Sequence, residues 1–281
     1  MAFFVQFLST FQLTENRSDL SWLNNIKLQA YLEHHKGAGK KVDILTNVRR
    51  QKLKDALYAS KLVYNLQSGY GLTIVKKNGK DVTWHLDNDL TAALYVNQQG
   101  RYILAFSGTK SLQGWRTNIH QALGSDQFIF PFGADITQYK SVYKVMDDVK
   151  EITNSIHIIT GHSLGGGLAS LASIIYGEGM PLVIFNPAHL HQKTLEDALA
   201  FQQLKKLPEE FFTLSEIWQV HGDPLAQFQR LPNKIPNWLY KIPQRSVIEL
   251  ESSPLLDRIL KFTPGNLHSL DVFEKFFLDI K

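Results

Sequence analysis

Apolar positions along the chain follow two alternating periods, and the switches between them divide it into helices and strands. Phe3, Phe4, Phe7, Leu8 and Phe11 recur at helical spacing. This stripe predicts a helix docked on the core, with an interfacial, membrane-contacting helix as the alternative. Residues 12–47 are polar and weakly patterned, with a loop expected at Gly37-Ala38-Gly39. A helix is predicted over 48–67, where Leu53, Ala56, Leu57, Ser60, Val63 and Tyr64 share a face and Gly69 lies close to the end. Two short runs, 72–75 and 82–86, flank Asn78-Gly79 and read as a hairpin. A second strand pair, 92–96 and 101–106, follows across residues 97–100.

Further along, Tyr139, Val142, Tyr143, Met146 and Val149 mark a helix over 138–153. The β-branched run 156–160 reads as a buried strand, and 168–176 as a small-residue helix that stops at Gly177 and Gly179. A strand at 182–185, a helix at 195–205 and a strand at 216–221 come next. Residues 224–245 carry Pro224, Pro232, Pro236 and Pro243 and are expected to be mostly irregular; an amphipathic helix over 271–280 closes the pattern. Strands alternating with helices imply an α/β fold, with a mostly parallel central sheet flanked by helices on both faces. No composition shift marks a linker, so residues 1–281 read as a single domain in which 1–47 is an N-terminal extension.

Composition narrows the function classes. Hydrophobic residues make up 44% and charged residues 20%, enough for a sizeable core. The formal charge of +4 mildly favours anionic lipid surfaces. Arg49-Arg50-Gln51-Lys52-Leu53-Lys54, the densest basic stretch, fits a solvated helix face. There is no basic groove with interleaved aromatics, so no nucleic-acid partner is expected. Cysteine is absent, which excludes disulfides and thiol catalysis. No apolar run reaches the roughly 18 residues of a transmembrane helix. The apolar N-terminus lacks a basic n-region and a small-residue cleavage site, so a cytoplasmic location or export by a signal-peptide-independent route is expected.

The chemistry centres on Gly161-His162-Ser163-Leu164-Gly165-Gly166. It joins the strand at 156–160 to a helix, and strand, Gly-x-Ser-x-Gly, helix is the context of a nucleophile elbow. The tight turn requires small flanking residues and exposes the serine hydroxyl above a helix N-terminus, which favours an oxyanion. No Lys-Ser or Lys-Thr pair follows the glycines, which removes a phosphate-binding loop.

A serine hydroxyl needs a base, and the base needs an orienting carboxylate. On this fold they follow in the order serine, acid, histidine, beyond strand ends. Asp223, in His221-Gly222-Asp223-Pro224, directly follows a strand and is the acid candidate, with Asp257 and Glu251 as fallbacks. Among ten histidines, His268 stands in a loop before the final helix and after Asp223; His221 is its main rival. His162 adjoins Ser163, but neighbours on an elbow point apart, so it reads as packing. His189 and His191 have no acidic or thiol ligands nearby, and neither a metal nor a cofactor is expected. The backbone N–H of Leu164 is one expected oxyanion donor. Thr109, in Phe106-Ser107-Gly108-Thr109, fits the second donor and an ordinary strand-ending turn equally well.

The segment 106–115, ending in Trp115, resembles the Phe-Arg-Gly-Thr/Ser segment of the class 3 (fungal-type) lipases, a family of α/β-hydrolase fold. The elbow 161–166 matches that family's nucleophile signature, Val220-His221-Gly222-Asp223-Pro224-Leu225 resembles its acid-bearing strand end, and His268 is similarly placed. The resemblance covers about residues 50–275 and implies a triad of Ser163, Asp223 and His268, with Thr109 and Leu164 as oxyanion hole. It also implies a lid formed or adjoined by residues 111–119. The family arginine before Gly108 is Ser107 here, and Phe185-Asn186-Pro187-Ala188 replaces the usual Gly-x-Pro-Arg.

The implied activity is carboxylic-ester hydrolysis on lipids, by a phospholipase A or a glyceride lipase, through an acyl-serine intermediate. Trp115, Phe128, Phe130, Phe132, Phe228, Trp238 and Tyr240 supply aromatics for a lipid interface. The rivals are a non-catalytic lipid- or protein-binding member of the fold and an esterase for small soluble esters. The scaffold also resembles antibacterial phospholipase effectors, which implies an inhibitory immunity protein as partner.

Overall fold

The computed structural model describes residues 47–86, 89–108, 136–177, 182–190, 192–207, 215–220, 223, 225, 247–250 and 268–278. The N-terminal stripe, residues 1–46 of the extension, Thr109, the lid segment 111–119, the fallback acids, His221, His191, all of the Pro-rich stretch except Leu225, and all seven interfacial aromatics lie outside these residues.

The elements run α1 (Asn47–Leu62), β1 (Leu72–Ile74), β2 (Lys76–Lys77), β3 (Lys80–Asp81), β4 (Thr83–His85), β5 (Thr91–Asn97), β6 (Tyr102–Phe106) and α2 (Ile136–Lys150). They continue with β7 (Ile156–His162), α3 (Leu164–Tyr176), β8 (Leu182–Phe185), α4 (Gln192–Phe201), β9 (Glu216–Val220), β10 (Val247–Leu250) and α5 (Leu270–Leu278). Among the described residues, eight strands form one sheet in the order β1-β5-β6-β7-β8-β9-β10, with β4 also on β5. β5 pairs antiparallel with β6, whereas β6 to β10 are all parallel. This is the mostly parallel central sheet, flanked by helices on both faces, expected from the sequence. Strand alternation splits its side chains between two cores. Leu104 and Phe106 join α2, α3 and α4 on one face, while Ile103 and Ala105 join α1 and α5 on the other. Covering both faces is what leaves strands such as β7 buried nearly throughout.

Three details differ from the sequence pattern. The Asn78-Gly79 turn closes only a two-residue ribbon, β2 with β3. Its arms then part: β1 pairs with the Tyr95–Asn97 half of β5 and β4 with the Thr91–Ala93 half. The turn signal is local, but the available partner is the long edge of β5. Helix α1 ends before Gly69 because Gln67 N–H bonds Leu62 C=O and Leu66 N–H bonds Val63 C=O, with Leu66 at φ 51°. That closure puts leucine where glycine is usual, and leaves Tyr64 in the turn just past α1. Finally, β10 extends the sheet in parallel with β9, a strand too short for its pattern to announce.

Candidate active site

The site assembles where parallel strands end, the usual location of ligand sites in open α/β sheets. The registers align Phe106 of β6 with Gly161 of β7, and His162 with Phe185 of β8, which in turn aligns with Trp218 of β9. The loops leaving these strands therefore meet at one edge.

Ser163 is the residue between β7 and α3, at φ 57° and ψ −125°. A non-glycine residue held there costs on the order of 1–3 kcal/mol and persists only where its surroundings fix it. They do so through its main chain. Its N–H donates to Phe185 C=O at 3.1 Å, and its C=O accepts from Gly166 at 3.0 Å and Ala188 at 2.9 Å. Close packing explains the glycines: a Cβ on Gly161 would stand 2.2 Å from Gly165 O, and one on Gly165 would stand 2.3 Å from Phe106 O. A Cβ on Gly166 would stand 2.6 Å from Pro187 Cβ. The first turn of α3 thus sits directly against the end of β6. A Cβ on Gly108 would lie 3.3 Å from the Ser163 Cβ, so the residue that precedes Thr109 in sequence borders Ser163. Leu164, the expected oxyanion donor, opens α3 with its N–H among the groups that a helix N-terminus leaves without an intrahelical acceptor.

Asp223 is fully buried. Its N–H bonds back to Val220 C=O at 3.0 Å, a tight turn directly off β9. Asp223 Oδ2 accepts from His268 Nδ1 at 2.6 Å, a short charge-assisted bond that fixes the ring's tautomer and orientation. The other ring nitrogen, Nε2, is buried as well. His268 stands immediately before α5, which is held to α1 by Lys61 bonding both Asp271, at 2.7 Å, and Glu274. The acid and base chosen from sequence order are thus brought together over a separation of 45 residues.

His162 ties this pair to the elbow. Its Nε2 bonds the His268 carbonyl at 2.5 Å, its Nδ1 bonds Tyr64 Oη at 3.1 Å, and its ring lies 4.7 Å from that of His268. Burial, reinforced by the neighbouring His268, holds its pKa well below the usual histidine range, so the ring is neutral.

A family model, described as phospholipase-like, Tle-like phospholipase domain, matches residues 59–246. The chain belongs to this family. The match runs from α1 past β9 and takes in Ser163 and Asp223, whereas His268 lies beyond it. The phospholipase-like chain is also 35% identical over 104 residues to the extracellular phospholipase A1 of Serratia liquefaciens, covering 37% of the chain and 29% of that protein. It therefore spans under a third of that relative's length. A triacylglycerol lipase from Penicillium expansum superposes with a TM-score of 0.42 at 15% identity, over 66% of the chain and 74% of the lipase.

Two features of this phospholipase-like site were not legible as such. Asn186, where the chain departs from the lipase pattern, bonds Trp218 C=O through its N–H at 2.8 Å and accepts Val220 N–H at its Oδ1 at 2.9 Å. It therefore anchors the strand that delivers Asp223. Tyr64 was visible only as one member of a helix face, and nothing in its spacing points to His162. Among the described residues no cluster of three or more histidine or carboxylate groups is poised to hold a metal.

Proposed function

We propose that this phospholipase-like chain is a serine-dependent carboxylic-ester hydrolase that cleaves an acyl ester of phospholipids. The observation that carries the reading is the buried Asp223–His268 pair, 2.6 Å apart, tied through His162 to a serine held at positive φ. The family match and the phospholipase A1 relative support phospholipid over neutral glyceride as substrate.

His268 Nε2 takes the Ser163 hydroxyl proton as Oγ attacks the ester carbonyl. Asp223 holds the proton on Nδ1 and stabilises the imidazolium that forms. The tetrahedral oxyanion is bound by the Leu164 N–H, beside the positive end of α3, and by Thr109. His268 then protonates the departing lysophospholipid oxygen. A water molecule, deprotonated by the same nitrogen, releases the fatty acid and restores the serine.

Mass spectrometry of products from mixed phospholipid and triglyceride vesicles, run beside a fluorophosphonate labelling assay, tests this. Free fatty acid with lysophospholipid is expected from the wild type, and neither turnover nor label from Ser163→Ala. Diglyceride as the product moves the substrate to neutral lipid. Cleavage restricted to short soluble esters indicates an esterase, and an unlabelled wild type indicates a binding-only member.

A further inference from the structure

The proposed triad does not use Tyr64 or His162, yet the two lie along one path through the site. The direction of each bond is determined. The His268 carbonyl can only accept, so His162 Nε2 carries the ring proton. The ring is neutral, so Nδ1 is a lone pair and accepts the Tyr64 hydroxyl at 3.1 Å. Tyr64 Oη in turn accepts the backbone N–H of Gly108. Burial pushes the tyrosine pKa upward, which keeps that hydroxyl a donor. Four groups distant in sequence are thereby joined: the residues just past β6, the turn just past α1, the end of β7, and the main chain that carries His268.

We propose that Tyr64 and His162 are positioning residues, a buried hydrogen-bond chain from Gly108 N–H through Tyr64 and His162 to the His268 carbonyl that fixes the base and the oxyanion loop on either side of Ser163. It rests on the serine-hydrolase reading above. Asp223 fixes the ring of His268 through Nδ1, and α5 is held from its own helical side by Lys61. His162 bonds the main chain at the base itself. It adjoins the nucleophile in sequence, so the same strand end sets the serine and the backbone of its base. Gly108 must be glycine for the chain to close, because a Cβ there would stand 2.5 Å from Tyr64 Oη and 2.7 Å from His162 O. A merely packed polar pair would stabilise the fold without setting catalytic geometry. A displacement of about 1 Å in a reacting group costs on the order of 100-fold in rate.

Three variants, Tyr64→Phe, His162→Leu and His162→Gln, test the chain by kcat and KM on phospholipid vesicles and by the rate of fluorophosphonate labelling. Each is measured well below its own melting temperature. Tyr64→Phe removes one hydroxyl from an intact ring and is expected to lower kcat and the labelling rate roughly 10-fold or more, with KM within about twofold. His162→Leu falls further, by about 100-fold. His162→Gln retains an N–H for the His268 carbonyl and recovers much of that loss. Folded Tyr64→Phe protein with wild-type kcat and labelling overturns the proposal, and so does equal loss in the glutamine and leucine variants. Failure of the wild type itself to label overturns the serine chemistry and this inference together, so the two failures are distinguishable.

Discussion

Gly165→Ala sets two opposing effects against each other at the elbow. Inside a helix, alanine is favoured over glycine by about 1 kcal/mol. On that ground alone the substitution stabilises α3. The close approach to β6 opposes it. The new methyl would lie 2.3 Å from Phe106 O, 2.6 Å from Ser107 C and 2.8 Å from Gly108 N, where ordinary contact begins near 3.4 Å. All three atoms are backbone, at and just beyond the end of a strand paired on both sides, so no side-chain rotation relieves the overlap. The first turn of α3 must instead withdraw by about 1 Å, carrying Ser163 and Leu164 with it. Overpacking of this kind costs about 1–3 kcal/mol. After the propensity gain the net loss is up to about 2 kcal/mol, and at roughly 2–4 °C per kcal/mol for a domain of this size melting falls by up to about 8 °C. The same withdrawal shifts the nucleophile against its base and should lower kcat about 100-fold. Calorimetry and vesicle hydrolysis read the two consequences. Gly69→Ala is the control, since a Cβ there meets nothing closer than Leu62 Cδ2 at 3.4 Å. A Gly165→Ala protein that melts and turns over like the wild type would refute the argument from close approach.

Asp223→Asn removes the charge at the 2.6 Å bond while keeping the shape, and should lower kcat by about 10⁴-fold with the fold intact by circular dichroism; activity within tenfold of wild type contradicts the role of Asp223. The neutral state of His162 makes stability depend on pH. Below the unfolded histidine value of about 6.5 the unfolded chain binds a proton that the folded chain refuses. Stability is therefore full above that pH and falls below it, by up to about 1.4 kcal/mol per pH unit. Denaturant unfolding at pH 7.5 and 5.5 should show a smaller acid-side loss for His162→Gln than for the wild type; equal losses would place the dependence elsewhere.

The strand–Gly-x-Ser-x-Gly–helix run was readable because an elbow is a local object: one tight turn dictates small residues at fixed offsets, and Gly161, Gly165 and Gly166 each meet a neighbour that a side chain would strike. Asp223 and His268 could be chosen from chain order because each sits just past the end of one element or before the start of the next. The two-faced burial of the parallel strands was equally legible, since alternation and apolar runs record which faces are covered. Tertiary structure decided what depends on partners far apart in sequence. Strands β1 and β4 reach past their own hairpin to β5, because pairing is settled by the free edge available. Asn186 anchors β9, and Tyr64 and His162 join Gly108 to His268 across 98 and 106 residues of separation. A single hydrogen bond imposes no period and no spacing on the chain, so the sequence by itself pointed to Ser163 as candidate nucleophile and to the order of its candidate partners, while only the fold determined what holds these residues in place.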